Sequence, residues 1–483
     1  MIYEYKMFID GKWVSAENGE KFVVYNPTTA EVVAKVARGG KKEAQQAIDA
    51  AKEAFEKGEW REKTLSERAR IIFKLTDMFE KKQEYFAEVE AKDVGKPVKY
   101  SLNYDFPFLI DNMRYFAGAS RAMTGTPVMN YNGESINYIR REPIGVVAAF
   151  IPWNFPLSNI AWKIIPALLM GNSVIVKPSS KALVSVLEFT HLAEKLNLPK
   201  GVLNVVTGPG EIVGKELGVS GKVDMITFSG DAKTGRRIME EAATNFKKLH
   251  FEFKGKSPMI ILKDADLKKA AQNAVFGAFE NAGQEATAVT RVYIHKKLKE
   301  KFVRMVVAET KKLNINDPLD RKTDIGPLTS AQQRDKVEGY VQSAVQEGAK
   351  IAYGGERIQG GIFEKGFFMK PTVLTNVTNE MGVCNEDITG PVLSIIGYKD
   401  LRQAIDGANC VPFSLAASVW GADIKIIDGI IDKLRFGTVW VNDHGELISE
   451  MPFGGSRKSG IGRDLSIYTF DNYSETKHVY IKI

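Results

Sequence analysis

The chain has 483 residues, 44% hydrophobic and 26% charged, the balance of a globular protein long enough for two or three full cores. Its net charge is +7, but the basic residues are interleaved with acids and no basic block carries aromatics, which argues against nucleic acid as a partner. Cys384 and Cys410 are too few for a disulfide framework, and no apolar run reaches the ~18 residues of a membrane span. A cytoplasmic protein with no membrane partner is expected. The opening residues 1–6 lack a basic-then-apolar leader pattern. The many Lys, Glu and Arg residues fit a thermophile.

Phe8-Ile-Asp-Gly-Lys-Trp13 alternates and turns at Asp10-Gly11, the pattern of a hairpin. Between Lys41 and Phe55, Ala44, Ala47, Ile48, Ala51 and Ala54 recur at three- and four-residue spacing, one apolar helical face. The same pattern predicts a helix over 66–88, opened by Ser66 and Glu67, and another over 105–121. Ser135 to Glu142 alternates like an exposed strand. From Gly145 the rhythm changes. Strand-length apolar runs at 145–151, 173–176, 202–206, 225–228 and 258–262 are separated by helix-length segments. That order predicts parallel strands with helices on both faces and a ligand at the strands' carboxyl ends. A second block follows, with helices over 297–313 and 331–347 and strands over 373–375, 392–396 and 438–441. A boundary between the blocks is expected near Gly255. The tail ends in the alternating Val479-Tyr-Ile-Lys-Ile483, an edge strand that another subunit would cover.

Several turns at strand ends carry groups with chemical potential. Ile151-Pro-Trp-Asn-Phe-Pro156 presents the Asn154 amide, suited to a developing oxyanion, or else it is a rigid turn with a packed Trp. Gly171-Asn-Ser-Val-Ile-Val-Lys-Pro-Ser-Ser180 ends in Lys177, a partner for ribose hydroxyls or phosphate, or a surface lysine. Gly208-Pro-Gly210 with Gly214, and Phe228-Ser-Gly230-Asp-Ala-Lys-Thr-Gly235, are strand-to-helix turns where a diphosphate can approach backbone. Glu252 in Phe251-Glu-Phe-Lys-Gly-Lys-Ser-Pro258 is a candidate general base, though a lone Glu is normally a solvated charge. Some thirty residues on lies Asn281-Ala-Gly-Gln-Glu-Ala286.

These motifs, with Gly390-Pro-Val392, Pro452-Phe-Gly-Gly455 and Ser459-Gly460, occur in one order, and in that order the chain resembles the aldehyde dehydrogenase superfamily over nearly its whole length. Trp440-Val-Asn-Asp-His444, Ser449-Glu-Met-Pro452 and Lys477-His-Val479 look most like its aminobutyraldehyde and betaine-aldehyde branch. The resemblance implies an α/β fold: two doubly wound α/β domains, for cofactor (1–123 and 144–253) and catalysis (254–465), plus a small β oligomerisation module (124–143 and 466–483). It implies a homotetramer or homodimer, NAD or NADP as cofactor, no metal, and a small-molecule aldehyde as substrate. In the family a cysteine thiol attacks the aldehyde. The residue matching Asn154 holds the oxyanion, hydride leaves, and the glutamate matching Glu252 activates water against the thioester. Lys163 matches a helix lysine near this centre. Ile151, Trp153, Lys177, Ser179, Ser180, Gly210, Gly214, Phe228, Ser229, Gly230, Asp231, Thr234, Phe253, Asp387 and Thr389 map to cofactor contacts. Asp105, Asp111 and Asp443 map near the substrate mouth, where they would favour a cationic aminoaldehyde.

The family pattern Gly-Gln-x-Cys-x-Ala-x-x-Arg is met at Gly283, Gln284, Ala288 and Arg291, but Ala286 stands in the cysteine position. Losing a covalent nucleophile costs on the order of 10^4–10^6 in rate, so oxidation is not expected from the chain as it stands. We read Ala286 as an engineered Cys-to-Ala change; the alternative is a natural, non-catalytic member that binds dinucleotide or aldehyde. Five further departures bear on the cofactor. Ser180 replaces a glutamate that selects NAD, so NADP is expected to bind at least as tightly. Asp231 replaces a small hydroxyl, Lys254 a glycine, and Asp387 and Thr389 the usual Glu and Phe.

Overall fold

The computed structural model describes residues 2–123, 125, 127–128 and 135–483; of the 124–143 segment, residues 124, 126 and 129–134 lie outside the described residues. The hairpin forms as its sequence requires. Met7–Ile9 pairs antiparallel with Lys12–Val14, and Asp10 (φ 52°) and Gly11 (φ 71°) take the left-handed pair of a two-residue turn. The helices Lys41–Lys57 and Phe106–Ser120 agree with the periodicity. The predicted 66–88 helix is two helices, Leu65–Glu80 and Gln83–Val94. Thr64, not Ser66, caps the first: its hydroxyl accepts from Glu67 N at 3.2 Å, while Glu67 accepts from Thr64 N at 2.7 Å. The apolar face runs on across the break, where Phe79 and Phe86 stack 4.8 Å apart, so periodicity alone does not reveal it.

Five parallel strands form the centre of an eight-stranded sheet: Leu203–Val205, Ser173–Pro178, Val146–Ile151, Met225–Gly230 and Lys248–Phe253 in spatial order. Their side chains alternate between two cores. Val146, Ala148 and Phe150 pack with Ala44, Ile48, Ile238 and Ala242 of the helices on one face. Val147, Ala149 and Ile151 pack with Leu157, Ile160 and Leu187 on the other. The direction of winding reverses between Val146–Ile151 and Met225–Gly230, and such a reversal opens a crevice at the strands' carboxyl ends.

A seven-stranded sheet runs Lys350–Tyr353, Thr372–Thr375, Val392–Tyr398, Val289–His295, Ser257–Ile261, Ala416–Trp420 and Thr438–Val441, parallel except at Lys350–Tyr353. The chain crosses from the first sheet to the second between Phe253 and Ser257. Ser474–Lys482 pairs antiparallel with Ser135–Pro143 over nine residues and leaves its other edge open among the described strands. No helix among the described residues is long and apolar enough to cross a membrane.

Candidate active site

A cavity of about 690 Å³ lies where the crevice of the first sheet meets the approach to the second. Nearly all the residues singled out from sequence line it. Ile151, Trp153, Lys177, Ser179, Ser180, Gly210, Gly214, Phe228, Ser229, Gly230, Asp231, Thr234, Phe253, Asn154, Glu252, Ala286, Asp105, Asp111 and Asp443 are all on its wall. Lys163, Asp387 and Thr389 are not among the lining residues.

Ala286 sits on a turn whose backbone is fixed from every side. Asn281 (φ 45°, ψ 37°), Ala282 (φ 56°, ψ 34°) and Gly283 (φ 68°) are consecutive left-handed residues. The two that carry a Cβ each cost about 1–2 kcal/mol. A Cβ at Gly283 would fall 2.4 Å from the Gly390 carbonyl, so only glycine fits there. Gln284 donates to Asn281 O at 3.0 Å and accepts from Thr329 N at 3.0 Å. Asn154 Nδ2 donates to Gln284 O at 3.0 Å, and Asn281 Nδ2 returns a bond to Asn154 O at 3.1 Å. Gly255 N donates to Ala286 O at 3.0 Å. His444 contacts Thr287 O through Nε2 at 2.7 Å and Ser418 Oγ through Nδ1 at 2.9 Å. None of these bonds involves the side chain at 286.

Burial pushes the Glu252 carboxyl up to about 7. Lys163, at 3.8 Å, pulls it down and Asp464 pushes it further up. Ser229 Oγ donates to Glu252 at 2.7 Å, and Lys163, fully buried, also faces Asp464 at 3.2 Å. Glu285, next to Ala286, is likewise raised to about 7 by burial, held back by the Thr287 N–H and pushed up by the charge of Glu252. Glu280 is raised well above the carboxylate range by burial and then by Glu285. Neither Glu280 nor Glu285 stands out in the sequence, where a lone glutamate reads as a solvated charge.

At the other end, burial lowers the Lys177 amine to about 8; its bond goes to Pro178 O at 3.2 Å. Asp231 accepts from Thr234 N at 2.9 Å and Thr234 Oγ1 at 2.8 Å, capping the helix Ala232–Ala243. Lys254 pairs with Asp387 at 3.2 Å and with Thr389 Oγ1, and Thr389 donates to Asp387 at 2.5 Å. Those three departures from the family pattern thus meet in one cluster beside Trp153. Of the three carboxylates expected near a substrate mouth, Asp105 is buried against Lys96 and Ser158, whereas Asp111 and Asp443 are exposed, bonded to Ser449 and, at 2.9 Å, to Asn273.

Burial lowers the His444 imidazole to about 4, so it is neutral in the folded chain. An unfolded histidine titrates near 6.5, so the unfolded state binds more protons as pH falls below that value. The contribution of His444 is therefore complete above pH 6.5 and is lost toward pH 4, by on the order of 3 kcal/mol. Denaturant titrations of the native chain and His444→Gln should show a stability difference that is flat above pH 7 and shrinks by that amount toward pH 4. A difference that stays flat through the acid range would show that the ring is not held neutral.

Residues 13–479 match the Aldehyde dehydrogenase family. Betaine aldehyde dehydrogenase of Bacillus subtilis (strain 168) is 38% identical over 474 residues, 98% of this chain and 96% of that protein. Retinal dehydrogenase 2 of Homo sapiens is 38% identical over 480 residues, 99% of this chain and 92% of that protein. Among solved structures, a betaine aldehyde dehydrogenase from Staphylococcus aureus in complex with NAD+ superposes with a TM-score of 0.96 at 35% identity, covering 99% of this chain and 96% of that one. The NAD+ complex of an aldehyde dehydrogenase from Bacillus cereus gives 0.96 at 39% identity, covering 99% and 97%. In motif order, in length and in backbone, the chain belongs to the aldehyde dehydrogenase family.

Proposed function

We propose that the chain binds NAD(P) and a small aldehyde in the arrangement used to oxidise the aldehyde to its carboxylic acid through a cysteine thiohemiacetal, in a form that lacks the thiol. One observation carries this reading: a single cavity is lined by Lys177, by Asn154 and Glu252, and by Ala286 at the position of the missing thiol.

The nucleotide end suits the cofactor. Lys177 is a buried cation whose own bond goes to a carbonyl, which leaves donors for ribose hydroxyls or a phosphate. Gly210 has nothing within 4 Å of where a Cβ would stand, room for a diphosphate against backbone. Asp231 directs its charge to its own helix N-terminus, which lessens the repulsion expected from its sequence position. Ser180 adds no charge to repel a 2′-phosphate, so NADP is expected to bind at least as well as NAD. The NAD+ bound to the Staphylococcus aureus and Bacillus cereus relatives supports a nicotinamide dinucleotide at this end. When bound, the nicotinamide accepts the hydride.

This chain's own residues would do the rest. The second N–H of the Asn154 amide is available to an oxyanion. Glu252, near 7, is poised to take a proton from water, and Lys163 beside it limits how far burial raises that value. At the substrate end, Asp105 is paired with Lys96, which leaves Asp111 and Asp443, with Glu285 part-ionised near 7, to receive a cationic tail. An aminoaldehyde fits that wall, and the betaine aldehyde relative points the same way. In the Ala286→Cys variant, aminobutyraldehyde should exceed uncharged butyraldehyde by about tenfold in kcat/KM, the scale of one partly desolvated charge contact. Equal values for the two would remove the cationic-substrate claim.

A second reading, a natural member that binds without oxidising, is favoured by the Lys254, Asp387 and Thr389 cluster. One engineered change at 286 would not produce three departures that bond to one another. A folded, cofactor-binding cysteine variant without turnover would favour this second reading.

A further inference from the structure

The alanine at 286 does not leave the centre without groups able to move protons. Glu285 precedes it in the chain and shares its cavity, with one oxygen held by Thr287 N and Oγ1 at 3.3 Å each. Glu252 lines the same cavity, fixed by Ser229 at 2.7 Å. Asn154, also on the wall, has one amide N–H committed to Gln284 O. Alanine lacks the sulfur atom that a cysteine would place in this cavity.

We propose that the chain as it stands catalyses the reversible hydration of aldehydes at Ala286, with Glu252 and Glu285 as the pair that accepts and donates the protons. This rests on the reading that the cavity admits an aldehyde.

The step balances without any oxidant or cofactor. A water oxygen bonds to the carbonyl carbon while one carboxylate takes a proton from that water. The carbonyl π pair moves to its oxygen, which takes the proton of the other, protonated carboxyl. The product is the geminal diol. Reversal with loss of the original oxygen leaves a solvent oxygen in the aldehyde. Two carboxyls that interact and are both raised toward neutrality supply one proton acceptor and one proton donor at the same pH. Positioned acid and base groups are worth about 10^2–10^4 in rate. Lys163, which lowers Glu252, and Asp464, which raises it, are the neighbouring groups that set this balance.

The test is oxygen-18 exchange between labelled water and butyraldehyde at pH 7, followed by mass spectrometry on cofactor-free protein. The native chain should exceed an equal mass of an unrelated folded protein by at least tenfold. Glu285→Gln and Glu252→Gln, checked for folding by their thermal midpoints, should each lose most of that excess. Exchange no faster than the control, or an excess unchanged in both variants, overturns the proposal. Oxidation of butyraldehyde by Ala286→Cys tells which idea has failed. If that variant turns over while the native chain does not exchange, hydration alone is wrong. If neither works, the aldehyde reading beneath it is wrong as well.

Discussion

Replacing Ala286 with cysteine is expected to raise cofactor-dependent aldehyde oxidation by on the order of 10^4-fold or more over the chain as it stands. The expectation rests on geometry that residue 286 does not itself create. Its carbonyl is held by Gly255 N, the Gln284 carbonyl two residues earlier by Asn154, and the Thr287 carbonyl after it by His444. A sulfur added to this backbone would enter a cavity already lined by Asn154 and Glu252. Glu252 and Glu285 are both raised toward 7, so at neutral pH one of them is available to take the thiol proton. Reduced-nicotinamide absorbance with small aldehydes measures the gain. A folded, cofactor-binding cysteine variant that shows no turnover would remove the reading of Ala286 as an engineered Cys-to-Ala change and leave a binding protein.

The second large effect concerns stability. Lys96→Met should cost about 3–5 kcal/mol, the penalty for stripping one partner from a buried ion cluster. The Lys96 amine and Glu90 are fully buried, and Asp105 nearly so. Burial works against the charge of Lys96, but Asp105 and Glu90 more than offset it, so the amine is held above its usual value. Removing it leaves two carboxylates facing each other beside Ser158 and the aromatic rings of Phe106 and Phe155. Adding Glu90→Gln and Asp105→Asn should recover much of the loss, because the uncompensated charge is then gone. Denaturant titration of the three proteins reads both numbers. A loss below 1 kcal/mol for the single variant would mean that water already solvates the cluster.

Much of the fold could be read from apolar spacing because both central sheets are parallel and buried on two faces. Runs such as Val146–Ile151 and Met225–Gly230 therefore stand out as short hydrophobic blocks. The break at Lys81–Lys82 left no trace because the buried face continues through it. The π-helical turn Ser101–Asp105 has no periodic signature either, yet it delivers Asp105 to Lys96. At the site, positions that sit in rigid turns were legible: Asn154 between two prolines, and Ala286 after a left-handed glycine. Charges were harder. A carboxylate in sequence defaults to solvent, and only the folded chain shows that Glu280 and Glu285 face a cavity while Asp105 is tied to a lysine nine residues away. The bond from Lys254 to residues 387–389 spans more than 130 positions, a distance no local pattern carries.

The turn that carries Ala286 is held by its neighbours' backbone and side chains, and it places residue 286 without consulting it. That independence has an evolutionary consequence. A lineage can lose the nucleophile, drift while other activities or binding roles are selected, and regain it by substitution at one position, because no part of the scaffold is maintained by the residue that changes. The strained Asn281-Ala282-Gly283 backbone is then a kind of memory: as long as selection keeps its shape for any reason, the capacity for covalent chemistry is retained in the population of descendants, unexpressed.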